Sequence, residues 1–258
     1  MLTDCHTHLD QYAPAELPGI LNRARQAGVG SIIVAGVTVD SSAEAVRLAE
    51  AHDLLWAGVG IHPTELKAPV SESDIEALRR LALSSRRVVC VSETGLDRME
   101  GSPDWRMQMD AFRAQIALAR ELRLPLIVHT RDCYDETLAL LRREHVEDVR
   151  AVQHYFQGDE RAARACLDMG IALSLAKPLL RLPHLQEIVR WLPPESMVLE
   201  TDSYPQPFKK KRENWTEPKD VRLVARKVAE LRGVTLDEVE RQTEANLSRI
   251  LRRPAPGA

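Results

Sequence analysis

The chain has 258 residues, of which 44% are hydrophobic, and a formal net charge of −3. This composition allows a large apolar core, and the near-neutral charge gives no overall reason to expect binding to a polyanion, although a local basic patch can still form. No apolar run reaches the roughly 18 residues of a membrane span, and no charged-then-apolar leader opens the chain. We therefore expect a soluble, cytoplasmic protein without a membrane partner.

Short apolar runs alternate with amphipathic stretches along the whole chain. Most of the runs are rich in Val, Ile and Leu without strict alternation, which is typical of strands buried on both faces. They predict eight strands: Leu2–His8, Ser31–Val37, Leu54–Ile61, Val88–Ser92, Leu124–Val128, Val149–His154, Ile171–Leu175 and Met197–Glu200. Between them, apolar residues recur at helical spacing, as over Pro103–Arg123 and Lys219–Leu231. Thr216 is a candidate N-cap, and Thr235 with Glu238 forms a capping-box pattern before the last helix.

The alternation of strands and helices predicts a parallel sheet with crossover connections. Eight such units in about 250 residues fit one α/β domain, a (β/α)8 TIM barrel over residues 1–258, with 253–258 as a frayed tail. The alternative is a doubly wound open sheet. No glycine-rich phosphate loop follows any strand, so the sequence does not support a Rossmann or P-loop fold. The four cysteines form no CxxC pair, which argues against a structural zinc site made of cysteines.

Ionisable residues are concentrated where the predicted strands end. Five of the eight histidines lie there, and Glu93 and Asp202 follow strands four and eight. Active sites of such barrels form at the carboxyl ends of the strands, and a buried cluster of this kind is costly without a compensating cation. Imidazole and carboxylate together suit zinc, manganese or iron, and magnesium where waters complete the shell. The predicted metal ligands are His6, His8, Glu93, His129, His154 and Asp202.

Each of these positions also has an ordinary structural explanation. His6 and His8 point into the same space because they are two apart on a strand, yet such a pair also arises by chance. We expect Asp4 and Asp10 to orient their rings as hydrogen-bond acceptors. Glu200 could likewise orient a ligand or be paired inside the barrel.

Glu93 and Arg131 each have an alternative partner. Glu93 could cap the next helix or pair with Arg98. Arg131 follows His129 by two residues, and its guanidinium could grip an anion through a bidentate fork. The alternative for Arg131 is a salt bridge with Asp132 or Asp135.

One basic run is concentrated enough to form a local patch, and it follows strand eight on the expected active-site side. Tyr204, Phe208 and Trp215 flank it. Cations for phosphates and aromatic rings for bases are the pattern of single-strand binding, while a solvated loop is the alternative. The predicted substrate contacts are His62, Arg131, Lys209, Lys210, Lys211 and Arg212.

Five motifs carry a resemblance to a known family. They are DCHTHLD, GIHP, SETGLD, QHYFQG and LETDS. Together they resemble the TatD-type deoxyribonucleases, metal-dependent hydrolases with an amidohydrolase-like barrel, and the resemblance covers nearly the whole chain. Departures occur at Ser92, Thr94, Tyr155 and the segment after Asp202, where the family's usual residues differ.

The resemblance implies two divalent metal ions, Mg, Mn or Zn. His6, His8, Glu93 and Asp202 would hold one ion, and Glu93, His129 and His154 the other. Glu93 and Asp202 would be catalytic, with Asp202 accepting a proton from the attacking water. We therefore expect a metal-dependent hydrolase acting on ester bonds, an exonuclease-like deoxyribonuclease that favours single-stranded DNA. A small-molecule ester, lactone or amide hydrolase is the second hypothesis, and a non-catalytic metal-binding scaffold is the third. The oligomeric state stays open.

Overall fold

The computed structural model describes residues 1–251, so the predicted tail at 253–258 lies outside the described residues. Eight parallel strands are hydrogen-bonded in the order of the sequence. They are β1 Leu2–Thr7, β2 Val29–Ala35, β3 Leu55–Val59, β4 Val88–Asp97, β5 Leu126–Arg131, β6 Ala151–Gln153, β7 Ala172–Leu175 and β8 Met197–Leu199.

The first and last strands meet through the residues that follow them. Thr7 forms a parallel bridge with Ser203, the His8 N–H donates to the Ser203 carbonyl at 2.8 Å, and the Asp202 N–H donates to the His6 carbonyl at 3.0 Å. These contacts bring the two edges of the sheet together. The (β/α)8 barrel is confirmed, and the open-sheet alternative is wrong.

Helices follow the strands and cover the outside of the barrel. They are α1 Leu17–Gln26, α2 Val39–Ala51, α3 Glu72–Ser84, α4 Trp105–Leu122, α5 Tyr134–Arg143, α6 Glu160–Asp168, α7 Pro183–Trp191, α8 Val221–Arg232 and α9 Leu236–Leu251. The capping box before α9 is confirmed, because the Glu238 N–H donates to Thr235 Oγ1 and the Thr235 N–H donates to Glu238 Oε2. Thr216 is not an N-cap, since a short 3-10 turn that begins after Glu217 precedes α8. None of the described helices has the length and apolarity needed to cross a membrane.

Two apolar layers hold the barrel together. The larger layer packs helices against the outside of the strands, where Phe112 and Ile116 of α4 are fully buried. Burial of each such side chain contributes about 1.5–3 kcal/mol. The smaller layer takes residues from all eight strands and from the end of α9, whose Asn246 donates to the Met197 carbonyl at the start of β8. Helix α9 therefore closes the amino end of the barrel and leaves the carboxyl ends of the strands to form a site.

Candidate metal centre

The Glu93 side chain lies at the centre of the carboxyl face and is 3% exposed. Five imidazole nitrogens from β1, β5 and the segments after β1, β3 and β6 lie within 3.5 Å of its two oxygens. Oε2 faces His6 Nε2 at 3.2 Å and His8 Nε2 at 3.5 Å. Oε1 faces His129 Nδ1 at 2.9 Å, His154 Nε2 at 3.4 Å and His62 Nε2 at 3.5 Å. The carboxylate therefore stands between two groups of histidines.

Close packing of β3 and the residue after it against β4 sets the position of Glu93. A Cβ on Gly60 would lie 2.7 Å from the Ser92 carbonyl carbon and 2.9 Å from the Glu93 nitrogen, so a side chain at position 60 would force the strands apart. Ser92 packs against Gly58, where a Cβ would lie 2.6 Å from the Ser92 Cβ. The register of β4 against β5 also shifts between Val91 and Thr94. The two glycines thus make room for Ser92, which departs from the family pattern.

Asp202 completes the cluster from the end of β8. Its Oδ1 lies 3.4 Å from His8 Nε2. Asp202 has a φ of 50°, and Tyr155, which follows His154, has a φ of 46°. Non-glycine residues rarely adopt this left-handed conformation, and such strain is concentrated at functional sites. Hydrogen bonds from the backbone N–H groups hold both residues in place: Asp202 donates to the His6 carbonyl, and Tyr155 donates to the Glu200 side chain at Oε1.

Two carboxylates behind the cluster determine which nitrogen of two histidines faces it. Glu200 accepts from His154 Nδ1, and Asp97 accepts from His129 Nε2 at 2.9 Å. An ionised carboxylate only accepts, so these two outer nitrogens donate, and they are the nitrogens that would keep a proton if a cation displaced the protons that face Glu93. Without a cation, His129 Nδ1 donates to Glu93 Oε1 at 2.9 Å. With a cation in place of the inward protons, the lone pairs of His154 Nε2 and His129 Nδ1 would face it, as metal binding requires. The predicted orienting role of Glu200 agrees with this geometry.

In His62 the hydrogen-bonding roles of the two ring nitrogens are the reverse of those that His129 and His154 would have with a cation bound. The Thr64 backbone N–H donates to His62 Nδ1 at 3.2 Å, and the Thr64 hydroxyl lies 2.7 Å from the same nitrogen. A backbone N–H can only donate, so Nδ1 accepts and Nε2 carries the proton of the neutral ring. His62 therefore presents a hydrogen-bond donor to the site.

The expected role of Asp4 is wrong. Its carboxylate accepts from the Thr201 N–H at 2.9 Å and from the Thr201 hydroxyl, so it anchors the end of β8 and bonds neither ring. Within residues 1–251, Nδ1 of His6, Nδ1 of His8 and Oδ1 of Asp10 are buried without a hydrogen-bond partner. The structure therefore shows no acceptor that orients the first two rings.

Strong charge coupling accompanies this packing. Burial would raise the pKa of Glu93, but the charges of the surrounding histidines outweigh burial and hold that pKa well below its usual range. Burial lowers the pKa of His154 and His8, yet the neighbouring carboxylates raise these values to about 10 and about 9. The pKa of Asp202, which burial would raise, falls to about 2 because His8 donates to it. Protons on histidine thus balance the carboxylates here, and a cation could take their place.

Three sets of side chains place candidate ligand atoms within 4.8 Å of one another. They are His6 with His8 and Glu93, His6 with His154 and Asp202, and His62 with Glu93 and His129. Imidazole nitrogens and carboxylate oxygens are the donors that zinc and manganese take in proteins. Because a cation can replace the protons on the inward nitrogens of His129 and His154, the residues present fit a divalent cation.

Comparison with known proteins agrees with this geometry. The profile of the family described as TatD related DNase matches residues 3–252. The chain belongs to the TatD family. It is 33% identical to the uncharacterized metal-dependent hydrolase YabD of Bacillus subtilis, over 98% of this chain and 99% of that protein. It is 32% identical to the 3'-5' ssDNA/RNA exonuclease TatD of Pantoea ananatis, over 90% of this chain and 91% of that protein. The crystal structure of YJJV, a TatD homologue from Escherichia coli, superposes with a TM-score of 0.89 at 28% identity and covers 98% of each chain. The protein is thus a metal-dependent hydrolase of the TatD family.

A cavity of about 320 Å³ opens beside His129, His154 and Asp202. Arg131 lines it and is exposed, and its guanidinium has no hydrogen bond or ion pair in the described part of the chain. Asp135 pairs with Arg161 instead, so the predicted alternative of a salt bridge between Arg131 and Asp135 is wrong. The TatD-type cluster therefore adjoins a free guanidinium.

Both alternatives for Glu93 are wrong. Asp104, not Glu93, caps the next helix. Arg98 pairs with Glu136 at 2.9 Å and stacks on the Trp105 ring, away from the cluster. The Glu93 carboxylate is therefore surrounded by histidines.

The basic run lies after β8, as predicted, but its members differ in environment. Lys209 donates to Gln206 Oε1 and to a backbone carbonyl. Arg212 pairs with Glu16 and Glu217 and stacks on Tyr12 and Trp215. Lys210 and Lys211 are exposed, and only Lys211 has an ion-pair partner within residues 1–251, Glu213 at 3.8 Å.

Two residues of this TatD site are not among those predicted from the sequence. Lys177 follows β7, lines the cavity and donates to Asp220 at 2.7 Å and to Thr216. Asp97 ends β4 and bonds His129. Lys177 lies two residues past the predicted seventh strand, so the rule that selected the histidines could have found it. Asp97 lies five residues past the predicted end of strand four, because β4 extends to Asp97 in the structure, and its signal in the sequence was the SETGLD motif.

Proposed function

We propose that this TatD-family hydrolase is an exonuclease-like deoxyribonuclease that prefers single-stranded DNA. The observation that carries the proposal is the free guanidinium of Arg131 in the cavity beside the metal cluster. An unpaired guanidinium is a bidentate donor that matches a phosphate. Relatives named as 3'-5' ssDNA/RNA exonucleases support the same substrate class.

The proposed ligands are His6, His8, Glu93, His129, His154 and Asp202. A divalent cation bound there would lower the pKa of a water molecule, so that hydroxide would form near neutral pH, and would withdraw charge from a phosphoryl oxygen. Asp202, with a pKa of about 2, stays ionised at neutral pH and would accept the proton of the attacking water as the new P–O bond forms. The P–O bond to the departing nucleotide would break, and the departing oxygen would take up the proton that Asp202 releases. The Nε2–H of His62 donates to the charge that develops on the phosphate. Arg131 holds the phosphate in place.

Aromatic side chains near the cavity support binding to unpaired bases. Tyr155 and Tyr204 line the cavity, and Phe208 is 70% exposed on the following loop. Stacking of a base on such a ring contributes about 1–3 kcal/mol and requires a base that is not inside a duplex. Lys210 and Lys211 add exposed positive charge beside this surface, which attracts a polyanion.

The decisive experiment is a turnover screen of the purified protein with Mg²⁺, Mn²⁺ or Zn²⁺. Substrates are end-labelled single-stranded DNA, duplex DNA, RNA, and a panel of esters and lactones. We expect stepwise shortening of single-stranded DNA, abolished by addition of a chelator and by Glu93→Gln. Ester or lactone turnover that depends on Glu93, without DNA cleavage, would replace the proposal with the small-molecule hydrolase hypothesis.

A paired substitution tests the role of Arg131. Loss of a charged hydrogen bond costs about 1.5–3 kcal/mol, so Arg131→Gln should lower kcat/KM for DNA by about 10- to 100-fold. Arg226→Gln on the outer helix α8 is the matched control, since Arg226 is exposed and does not line the cavity. Equal losses in the two variants would contradict a specific phosphate contact.

A further inference from the structure

The Asp97 carboxylate is fixed from one side and faces a candidate ligand on the other. Asp97 is 2% exposed at the end of β4. Its Oδ1 accepts from the Met99 backbone N–H at 2.8 Å and from the Ser102 hydroxyl at 2.9 Å. Its Oδ2 accepts from His129 Nε2 at 2.9 Å. Each oxygen of the Asp97 carboxylate therefore accepts hydrogen bonds from different donors.

The backbone around this carboxylate is fixed as well. Gln108 of α4 accepts from the Asp97 N–H at 2.9 Å and donates to the Asp97 carbonyl at 3.0 Å. Gln108 is buried, so both bonds are shielded from water. The main chain at Asp97 is thus held by Gln108, and the Asp97 carboxylate contacts one nitrogen of the His129 ring.

We propose that Asp97 is a positioning residue that sets the tautomer and orientation of His129, so that His129 Nδ1 offers its lone pair to the metal centre. The inference rests on the proposed ligand role of His129. A carboxylate on the outer nitrogen of a metal-binding histidine fixes the ring and makes it a better donor to the cation. The Nδ1 atom lies 2.9 Å from Glu93 Oε1, to which it donates when no cation is bound, so a cation in the cluster would replace that proton.

Asp97→Asn tests this proposal because it replaces one carboxylate oxygen, a hydrogen-bond acceptor, with an NH₂ group, a hydrogen-bond donor. The Met99 N–H can only donate, so the remaining carbonyl oxygen of asparagine stays with it. The amide NH₂ then faces His129 Nε2, which must accept, and the proton moves to Nδ1. His129 would then present N–H to the site in place of a lone pair.

The experiment is a Mn²⁺ titration of metal-free protein by calorimetry, with bound Mn²⁺ counted after desalting. His129→Ala defines the Mn²⁺ binding that depends on His129. We expect Asp97→Asn to weaken that component by about 10- to 100-fold. The thermal unfolding midpoint of metal-free Asp97→Asn separates this effect from misfolding. Zinc-loaded protein labelled with ¹⁵N-histidine should show His129 bound through Nδ1 in the wild type.

Asp104→Asn is the matched control, because Asp104 lies nearby in the chain and caps α4 through the Met107 N–H. Asparagine caps a helix as well as aspartate does, so Mn²⁺ binding should not change. Wild-type Mn²⁺ affinity in Asp97→Asn, or an equal weakening in Asp104→Asn, overturns the role of Asp97. Wild-type Mn²⁺ binding in His129→Ala instead overturns the proposed ligand set.

Discussion

His62 lies close enough to Glu93 to be taken for a metal ligand, but the hydrogen bonds from Thr64 make it a donor. We therefore predict that His62→Gln and His62→Ala retain the full number of bound Mn²⁺ ions and lose turnover. The His62 Nε2 atom is 3.5 Å from Glu93 Oε1, and its side chain is 13% exposed, so its N–H acts where water is largely excluded. Loss of one donor in such a site costs about 10²–10³ in kcat, or about 2.7–4 kcal/mol.

The two substitutions should differ in degree. Glutamine can direct its amide N–H into the site, so His62→Gln should retain more of the turnover than His62→Ala. The assay combines bound Mn²⁺ per protein with kcat on single-stranded DNA at saturating metal. His184→Gln, on the exposed surface of α7, is the matched control and should match the wild type. Loss of a Mn²⁺ equivalent in either His62 variant would refute the polarity argument and make His62 a ligand.

Three further predictions concern charge. In metal-free protein, the raised pKa values of His8 and His154 stabilise the fold below the unfolded value of about 6.5. That contribution is lost as pH rises from about 6.5 through the folded pKa values, about 9 for His8 and about 10 for His154. The thermal unfolding midpoint should therefore fall as pH rises over this range, and it should fall less when Mn²⁺ is bound. Glu200→Gln should weaken Mn²⁺ binding by about 10- to 100-fold, because a neutral amide replaces the charged carboxylate whose two oxygens both lie near His154 Nδ1. Unchanged Mn²⁺ affinity would contradict this prediction. Substitution of Lys210 and Lys211 by glutamate should raise KM for DNA. The slope of log binding constant against log salt concentration should become shallower by about 0.7 for each phosphate that is no longer neutralised. Turnover of neutral esters is the control and should not change.

The sequence by itself determines where the strands lie and which side chains stand at their ends. All eight predicted strands overlap the observed ones. Buried parallel strands require short apolar runs, and such runs can be recognised from neighbouring residues alone. The barrel then brings strand ends together regardless of their separation in the chain. For that reason the sequence alone is enough to place Glu93 and Asp202 on one face.

The partner that each ionisable group takes is decided only by the tertiary structure. The sequence predicts Arg212 as a substrate contact, but Glu16 and Glu217 hold it, and Glu16 lies 196 residues away in the chain. Asp97 is part of the SETGLD motif, but the predicted strand ends at Ser92, and only the fold shows that Asp97 bonds the histidine of the neighbouring strand.

The physical reason is competition. A charged side chain has many candidate partners of opposite charge, and distance, burial and hydrogen-bond polarity in the folded chain select one of them. Sequence spacing identifies the strand end on which a residue stands. It does not identify which nitrogen of a histidine is bonded from behind, and that choice distinguishes the donor His62 from the proposed ligand His129.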